Sequence, residues 1–286
     1  MRVTPSWWTV RSARYWLVVG AAAPLGLLLG VLLTSHFARP PANPTGRAAG
    51  ARGNIAAGPR PSAVESATPH ADQLQTTAAQ NAAFVRAVYQ DVIGAAPPQG
   101  TVEGWLGALD SGASRTQVAA ALLATPERAT HFANSTFQEL LGRDADSTAV
   151  SAWVAALEAG APPEQLYAGV LGSDEYYQQH GGTDTAWLDA VFLTLLGREP
   201  TPAERDGQLA ALSGGAQRAD VANALSHGDE YRNRLLADLF RQYLGRAPDA
   251  DEQRWLVGAL AAGQSSDAIR AALLGSDEYL HRNTGA

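Results

Sequence analysis

A three-residue phrase, Leu-Gly-Arg, recurs along the chain and opens a similar run of residues each time. It stands at residues 141–143, 196–198 and 244–246, and a weaker copy, Ile-Gly-Ala, stands at residues 93–95. Counted from each glycine, a leucine follows at fifteen residues, a second glycine at eighteen and a glutamate at thirty-three in all four copies. The core glycines are 48, 55 and 48 residues apart, a spacing that is typical of helical repeat arrays.

Within each unit, apolar residues recur at three- and four-residue intervals, as they do on one face of a helix. In the third unit this pattern stops at Gly197, where a left-handed helix cap is expected, and a capping box at residues 201–204 begins a second helix. A third helix follows the glycine at the eighteenth position, and Gly181-Gly182 is expected to break the helix between units two and three. We therefore predict an all-α fold of four tandem three-helix repeats, at residues 81–131, 132–182, 183–234 and 235–286.

Residues 15–38 are predicted to form a transmembrane helix. The stretch from Tyr15 to Phe37 contains no charged residue and, as a helix, would span roughly 30 Å. A cleaved signal peptide is the alternative, but His36 occupies a position where a cleavage site needs a small residue. A basic tail, residues 1–14, precedes the helix, and such a tail usually stays in the cytoplasm. We expect a single-pass membrane protein with its repeats outside the cytoplasm, although arginines on the two sides of the helix nearly balance.

Residues 39–80 separate the predicted membrane helix from the repeats. They are rich in Pro, Ala, Gly, Thr and Arg and contain only three larger aliphatic residues, Ile55, Val64 and Leu74. Such a composition buries too little apolar surface to form a core, so we expect a flexible tether.

Charge and composition exclude several classes of function. Residues 65–286 carry 14 arginines and 28 acids, a formal net charge of −14, which argues against nucleic acid as a partner. The chain contains no cysteine, which excludes thiol nucleophiles and zinc–cysteine sites. No zinc-protease, phosphate-loop or nucleophile-elbow motif occurs, and the Asp-x-Asp pairs at residues 144–146 and 249–251 lack the remaining ligands of a calcium loop. We therefore predict no metal site, no cofactor and no catalytic residue.

The second unit contains, in this order, Phe137, Leu141, Gly142, Arg143, Trp153, Leu157, Gly160, Ser173, Asp174, Glu175 and Tyr176. With these residues it resembles a bacterial family described as a domain of unknown function. Its repeats read roughly F-x-x-x-L-G-R-x-P-D, then W, L, G and S-x-E-[FY], and helical phycobilisome linker domains share a similar pattern. The resemblance covers about residues 82–283 and implies a helical architecture, often in surface or secreted proteins, but no activity. The first unit departs most, with Ala95, Pro126 and Arg128 in place of the arginine, aspartate and tyrosine, as an end unit does.

These features favour a membrane-anchored helical-repeat interaction or scaffold module of the cell envelope, whose partner is an envelope protein or polymer. Two alternatives stay open. One is an envelope hydrolase that uses a repeat glutamate as its general acid. The other is a module that binds cell-wall glycans through exposed rings, for which the candidates are Trp105, Trp153, Trp255, Tyr176, Tyr231 and Tyr279.

The arginine of the repeated phrase occurs together with an Asp-Glu-Tyr trio. Units two, three and four have both features, whereas unit one lacks the arginine, the aspartate and the tyrosine. We predict that each guanidinium bonds to an acid of the trio or to helix-end carbonyls, with the tyrosine ring packed over it, and that breaking such a partly buried pair costs about 3–5 kcal/mol. The predicted structural positions are Gly142, Arg143, Glu175, Gly197, Arg198, Glu230, Gly245, Arg246 and Glu278.

Overall fold

A computed structural model describes residues 68–284, which form fourteen α-helices without a strand. The prediction of an all-α fold built from helical repeats is confirmed. The helices are α1 Thr68–Ile93, α2 Gln99–Asp110, α3 Arg115–Leu123, α4 Pro126–Leu141, α5 Ser147–Glu158, α6 Pro163–Leu171, α7 Asp174–Gln179, α8 Asp184–Leu196, α9 Pro202–Ser213, α10 Arg218–Ser226, α11 Asp229–Leu244, α12 Ala250–Ala261, α13 Ser266–Leu274 and α14 Asp277–Thr284.

The repeated phrase ends the first helix of each unit. Gly142, Gly197 and Gly245 follow α4, α8 and α11 with φ angles of 67°, 71° and 71°. An L-residue is strained in this left-handed region, which explains why glycine recurs there. The middle helix then begins at a side-chain cap. Thr201 and Glu204 form a reciprocal capping box at the start of α9, and Asp249 and Glu252 form one at the start of α12.

Two unit boundaries are continuous and one is broken. Helices α4 and α11 run without interruption from the end of one unit into the first helix of the next. Between units two and three the chain instead forms the short helix α7, turns at Gly181 and Gly182 with φ angles of 91° and 62°, and begins α8. The seven extra residues in the 55-residue spacing therefore form a turn between helices.

A shift of 103 residues relates units one and two to units three and four. It carries Gly94 to Gly197 and Gly142 to Gly245. The third helices pack in pairs that obey the same shift, α6 on α10 and α13 on α3. In a linear array each unit contacts only its neighbours along the chain. Here unit four also contacts unit one, and it does so in the way that unit two contacts unit three, so the four units close on themselves.

Close backbone approach explains two of the glycines at these junctions. A Cβ atom on Gly172 would overlap the backbone of Ala219, and a Cβ atom on Gly275 would overlap the backbone of Thr116. Both glycines stand thirty residues after the glycine of the repeated phrase, in units two and four. Units one and three have Ala124 and His227 at that position. Their third helices, α3 and α10, are the partners that the glycine-bearing helices α13 and α6 approach. This alternation is the sequence signal for the closed arrangement.

The core crosses the unit boundaries. One cluster of buried side chains extends over units two and three, with Trp187, Val191 and Phe192 of α8 packed with residues of α4, α6 and α10. Trp187 is fully buried, and its indole N–H donates to the carbonyl of Leu171 at 2.8 Å. Since neither unit holds this core alone, units two and three are expected to unfold together.

The amino-terminal boundary of the fold differs from the prediction. Residues 68–80, which the composition assigns to the linker, form the first half of α1. The reason is that this stretch is rich in Ala and Gln, which favour helix even where little apolar surface is available. No helix within residues 68–284 combines the length and apolar character that a membrane crossing needs. The predicted tail, the membrane helix at residues 15–38 and the linker as far as residue 67 lie outside the described residues.

Candidate functional site

Each arginine of the repeated phrase makes two hydrogen bonds to the glutamate of the trio that follows it. The Nε and Nη2 atoms donate to the two carboxylate oxygens, which is the bidentate geometry of a strong guanidinium–carboxylate pair. The donor–acceptor distances are 2.6 and 2.6 Å for Arg143 with Glu175, 2.6 and 2.6 Å for Arg198 with Glu230, and 2.6 and 2.9 Å for Arg246 with Glu278.

In units three and four the guanidinium also binds a second carboxylate. Arg198 donates to Glu204 at 2.9 and 2.8 Å, and Arg246 donates to Glu252 at 2.7 and 2.8 Å. Both glutamates belong to the capping boxes of the middle helices. Unit two has Ala149 at this place, seven residues after the glycine. The sequence predicted only a capping role for Glu204, although glutamate at this position in two arginine-bearing units was a usable signal for the second bond.

The ring over each guanidinium is a phenylalanine, so the prediction that the trio tyrosine packs there was wrong. The Phe rings of the first helices, Phe137, Phe192 and Phe240, lie 5.1, 5.5 and 5.1 Å from the guanidinium carbons. The tyrosine follows the glutamate directly, and consecutive helix residues point about 100° apart, so the two side chains cannot share one face. Tyr176 and Tyr279 are buried instead, and their hydroxyls bond to Thr194 and Asp91 at 3.1 and 2.7 Å.

The ion pairs are more exposed than the sequence analysis assumed. The side chains of Arg143 and Glu175 are 41% and 38% exposed, so the expected cost of 3–5 kcal/mol for breaking a pair is too high. The arginine hydrogen bonds lower the pKa of Glu175 and Glu230, and those from Arg198 and Thr201 lower the pKa of Glu204 to about 2. A general acid needs a raised pKa. In Glu175 and Glu230, two of the repeat glutamates, the pKa is shifted in the opposite direction.

Three of the six candidate glycan-binding rings are buried, and none is fully exposed. Trp153, Tyr176 and Tyr279 are buried, and Trp105, Trp255 and Tyr231 are only partly exposed. No exposed row of rings is present in the part of the chain that the structure describes. The six rings therefore give the glycan-binding alternative no support.

Burial of charge marks a second cluster that the sequence analysis missed. The Arg128 side chain is 5% exposed and donates to Asp267 at 2.9 Å, and Arg270 approaches the same carboxylate at 3.6 Å. Burial lowers the pKa of Arg128 and raises that of Asp267, the directions expected when both charges leave water. Arg128 stands where the other units have the trio tyrosine. That departure serves the contact between units one and four and is not the irregularity of an end unit.

A polar depression of about 290 Å³ lies between units two and three, where α4, α7, α8 and α11 meet. Leu193, on α8, is 59% exposed and is the one large apolar side chain exposed between residues 77 and 284. The lining residues are Glu139, Leu140, Tyr176, His180, Leu193, Thr194 and Arg234.

Internal bonds hold the polar groups of this depression in place. The His180 ring stacks on Tyr176 at 3.9 Å, and its Nδ1 lies 2.8 Å from the Tyr176 carbonyl. If Nδ1 donates this bond, the Nε2 of a neutral ring is left as an acceptor. Glu139 accepts from the Tyr167 hydroxyl at 2.8 Å. The Arg234 guanidinium lies so close to Gly197 that a Cβ atom there would overlap it. The depression therefore presents a stacked histidine, a hydrogen-bonded glutamate and an arginine beside an apolar side chain.

Comparison with known proteins agrees with the helical repeats. The model of the family described as "Domain of unknown function (DUF4214)" matches twice, at residues 67–132 and 127–180. These overlapping matches cover units one and two, and the 103-residue shift carries the same arrangement into units three and four. No match is found among curated proteins or among solved structures. No group of three or more His, Asp or Glu side chains within residues 68–284 is placed to hold a metal ion.

Proposed function

We propose that this chain is a membrane-anchored interaction module of the bacterial cell envelope. Residues 15–38 anchor it, and the four closed repeats lie outside the cytoplasm and bind an envelope protein. The depression between units two and three is the contact surface for this partner.

The proposal rests on a difference between the repeated polar residues and the residues that line the depression. The repeated arginines and glutamates bond to one another, and the repeated tyrosines Tyr176 and Tyr279 are buried. Groups repeated in this way stabilise the units. Besides the repeated Tyr176, the depression is lined by residues that are absent from the repeat pattern, among them Leu193, His180 and Arg234. Of these, Leu193 and Arg234 are exposed, and exposed residues that the repeat pattern does not require are natural candidates for binding.

The chemistry of the surface suggests the kind of partner. An exposed leucine beside an arginine and a histidine acceptor suits a polypeptide that inserts an apolar side chain and bonds at its edge. The 28 acids against 14 arginines in residues 65–286 favour a partner with a basic surface, since complementary charge speeds association.

Photocrosslinking in the native envelope tests this assignment. A photoreactive amino acid in place of Leu193 should give one discrete crosslinked protein, and Leu193→Glu should abolish binding of that protein without changing the melting temperature. Gln90 provides the matched control, because it is the exposed residue 103 positions earlier on the equivalent helix. Equal crosslinking from positions 90 and 193, or unchanged binding by Leu193→Glu, would refute the assignment to this depression.

A protease experiment tests the topology separately. Protease added to intact spheroplasts should remove the repeats if they lie outside the cytoplasm. Protection of the repeats until the membrane is permeabilised would place them inside and reverse the proposed orientation.

A further inference from the structure

The contacts between the two halves of the fold occur as two equivalent sets. We define half one as residues 68–180 and half two as residues 184–284. In the first set, α6 packs on α10 and α7 packs on α8; in the second, α13 packs on α3 and α14 packs on α1. The 103-residue shift converts each member of the first set into a member of the second.

Side-chain contacts obey the same rule. Arg218 pairs with Asp174 in the first set, and Arg115 pairs with Asp277 in the second. Gly172 and Gly275 allow the same close helix approach. Contacts that map onto each other when two bodies are interchanged are those of an isologous, two-fold interface. The two halves of one chain are therefore related as the two subunits of a symmetric dimer.

One of the two sets forms without a covalent connection. The peptide chain links α7 to α8 through residues 180–183, whereas α14 and α1 belong to opposite ends of the described chain. Tyr279 of α14 nevertheless bonds to Asp91 of α1, as Tyr176 of α7 contacts Thr194 of α8. The recognition between halves thus does not depend on the link.

The link itself is a short turn that depends on glycine. Gly181 and Gly182 both have left-handed φ angles, of 91° and 62°. The other unit boundaries within a half contain no such turn, because α4 and α11 are continuous helices. If residues 180–183 became helical, α7 and α8 would join into one helix, and half two would leave its own half one. Short hinges between elements that keep all other contacts favour domain swapping.

We propose that two copies of this chain exchange halves at Gly181-Gly182, so that half one of each copy packs on half two of the other. The exchanged dimer keeps both sets of contacts and changes only the hinge. The closed monomer is favoured by the high effective concentration of its linked halves. Exchange therefore increases with the concentration of the chain. The partner in the exchange is a second copy of this chain.

Intercopy crosslinking of the full-length chain tests the exchange. The chain has no cysteine, so each introduced cysteine reports alone. One tagged copy carries Arg115→Cys, and a differently tagged copy carries Asp277→Cys. After co-expression, a short bis-maleimide should join the two copies, because these positions meet across halves. The control pair is Arg246→Cys with Glu278→Cys. Both positions lie in half two and stay within one copy after exchange.

Hinge variants should shift the equilibrium. Gly181→Ala and Gly182→Ala strain the closed turn but suit a helix. Because an exchanged dimer contains two hinges, each variant should raise the exchanged fraction by about a hundredfold while that fraction is small. Gly160→Ala and Gly215→Ala are matched controls, with φ angles of 87° and 97° and open space around the added Cβ. They strain both forms equally and should leave the fraction unchanged.

Two results would overturn the proposal. The first is that the 115–277 pair gives no more intercopy product than the 246–278 pair, with the natural hinge and with the alanine hinge alike. The second is a rise with the control glycines as large as with the hinge glycines. If circular dichroism shows that the hinge variants fail to fold, the comparison of the two cysteine pairs with the natural hinge decides the question alone.

Discussion

The junction between units two and three and the junction between units four and one have the same packing but different surfaces. The close glycine contacts and the pairs Arg218–Asp174 and Arg115–Asp277 recur at both. The surface residues do not. Positions lined by Leu193, Glu139, Arg234, His180 and Thr194 at the first junction are occupied by Gln90, Gln242, His131, Asn283 and Asp91 at the second.

The difference teaches which residues the fold requires. The close helix approach and the interunit ion pair are the same at both junctions, and the same residue types form them. Packing does not require an exposed leucine in place of glutamine, because the second junction forms without it. This difference supports the proposal that the partner binds at the first junction.

The largest expected effect comes from adding a methyl group at the close contacts. Gly172→Ala and Gly275→Ala should each destabilise the fold by about 3 kcal/mol, because the new Cβ overlaps opposing backbone that cannot rotate away. Gly169→Ala is the control, since a Cβ there meets nothing within 4 Å and should be neutral or slightly stabilising. Urea unfolding followed by circular dichroism measures all three. Very different costs at residues 172 and 275 would break the equivalence of the junctions.

The buried Arg128 should give the next largest effect. Arg128→Ala leaves Asp267 with only the more distant Arg270, and a buried pair broken from one side should cost about 3 kcal/mol near neutral pH. The pKa of Asp267 is already raised in the folded state and should rise further in the variant. Protonation then removes the unpaired charge, so the destabilisation should shrink as the pH falls towards about 4. A cost independent of pH would show that lost packing, and not charge, is responsible.

The repeated arginine should contribute less. Arg246→Ala breaks bonds to Glu252 and Glu278, but its side chain is 36% exposed, so screening reduces the expected loss to about 1–2 kcal/mol. Arg246→Lys should restore little, because an ammonium cannot make bidentate bonds to both carboxylates. Arg254→Ala is the control: that pair is 76% and 88% exposed and should contribute less than about 0.5 kcal/mol. Equal melting of the Arg246 and Arg254 variants would remove the structural role of the repeated arginine.

A smaller effect is expected in acid. Because the folded-state pKa of Glu204 is lowered to about 2, its ionised form adds stability above its ordinary pKa of about 4.3, and that contribution is lost as the pH falls towards 2. Glu230 acts in the same direction. In Arg198→Gln, this part of the stability lost in acid should be smaller. The difference in unfolding free energy between the parent and the variant, measured from about pH 6 down to pH 3, should therefore narrow.

The sequence predicted what is local or repeated in every unit. Helix ends at Gly197 and the capping box at Thr201 follow from neighbouring residues, so no tertiary information was needed. The presence of Arg143, Arg198 and Arg246 wherever the trio occurs indicated their acidic partners. The identity of the ring was mispredicted because Glu175 and Tyr176 were treated as one group, although adjacent helix residues face different directions.

The closed arrangement could not be read from one unit at a time. It depends on contacts such as Arg115 with Asp277, between residues far apart in the chain. Its signal is alternation between units, with glycine at positions 172 and 275 but not at 124 and 227. Arg128 is a second example. It departs from the repeat pattern, and only its ion pair with Asp267 of another unit explains that departure. The depression was also missed, because Leu193 and His180 belong to no repeated column.

The central claim is that units four and one meet as units two and three do. Pulsed electron spin resonance tests it most directly, because introduced cysteines are the only attachment sites for spin labels in this cysteine-free chain. One protein carries labels at positions 115 and 277 and another at positions 174 and 218, each diluted with unlabelled chain. The account predicts the same short interlabel distance in both proteins. A short distance for 174–218 together with a long or broad distribution for 115–277 would contradict it and indicate an open array.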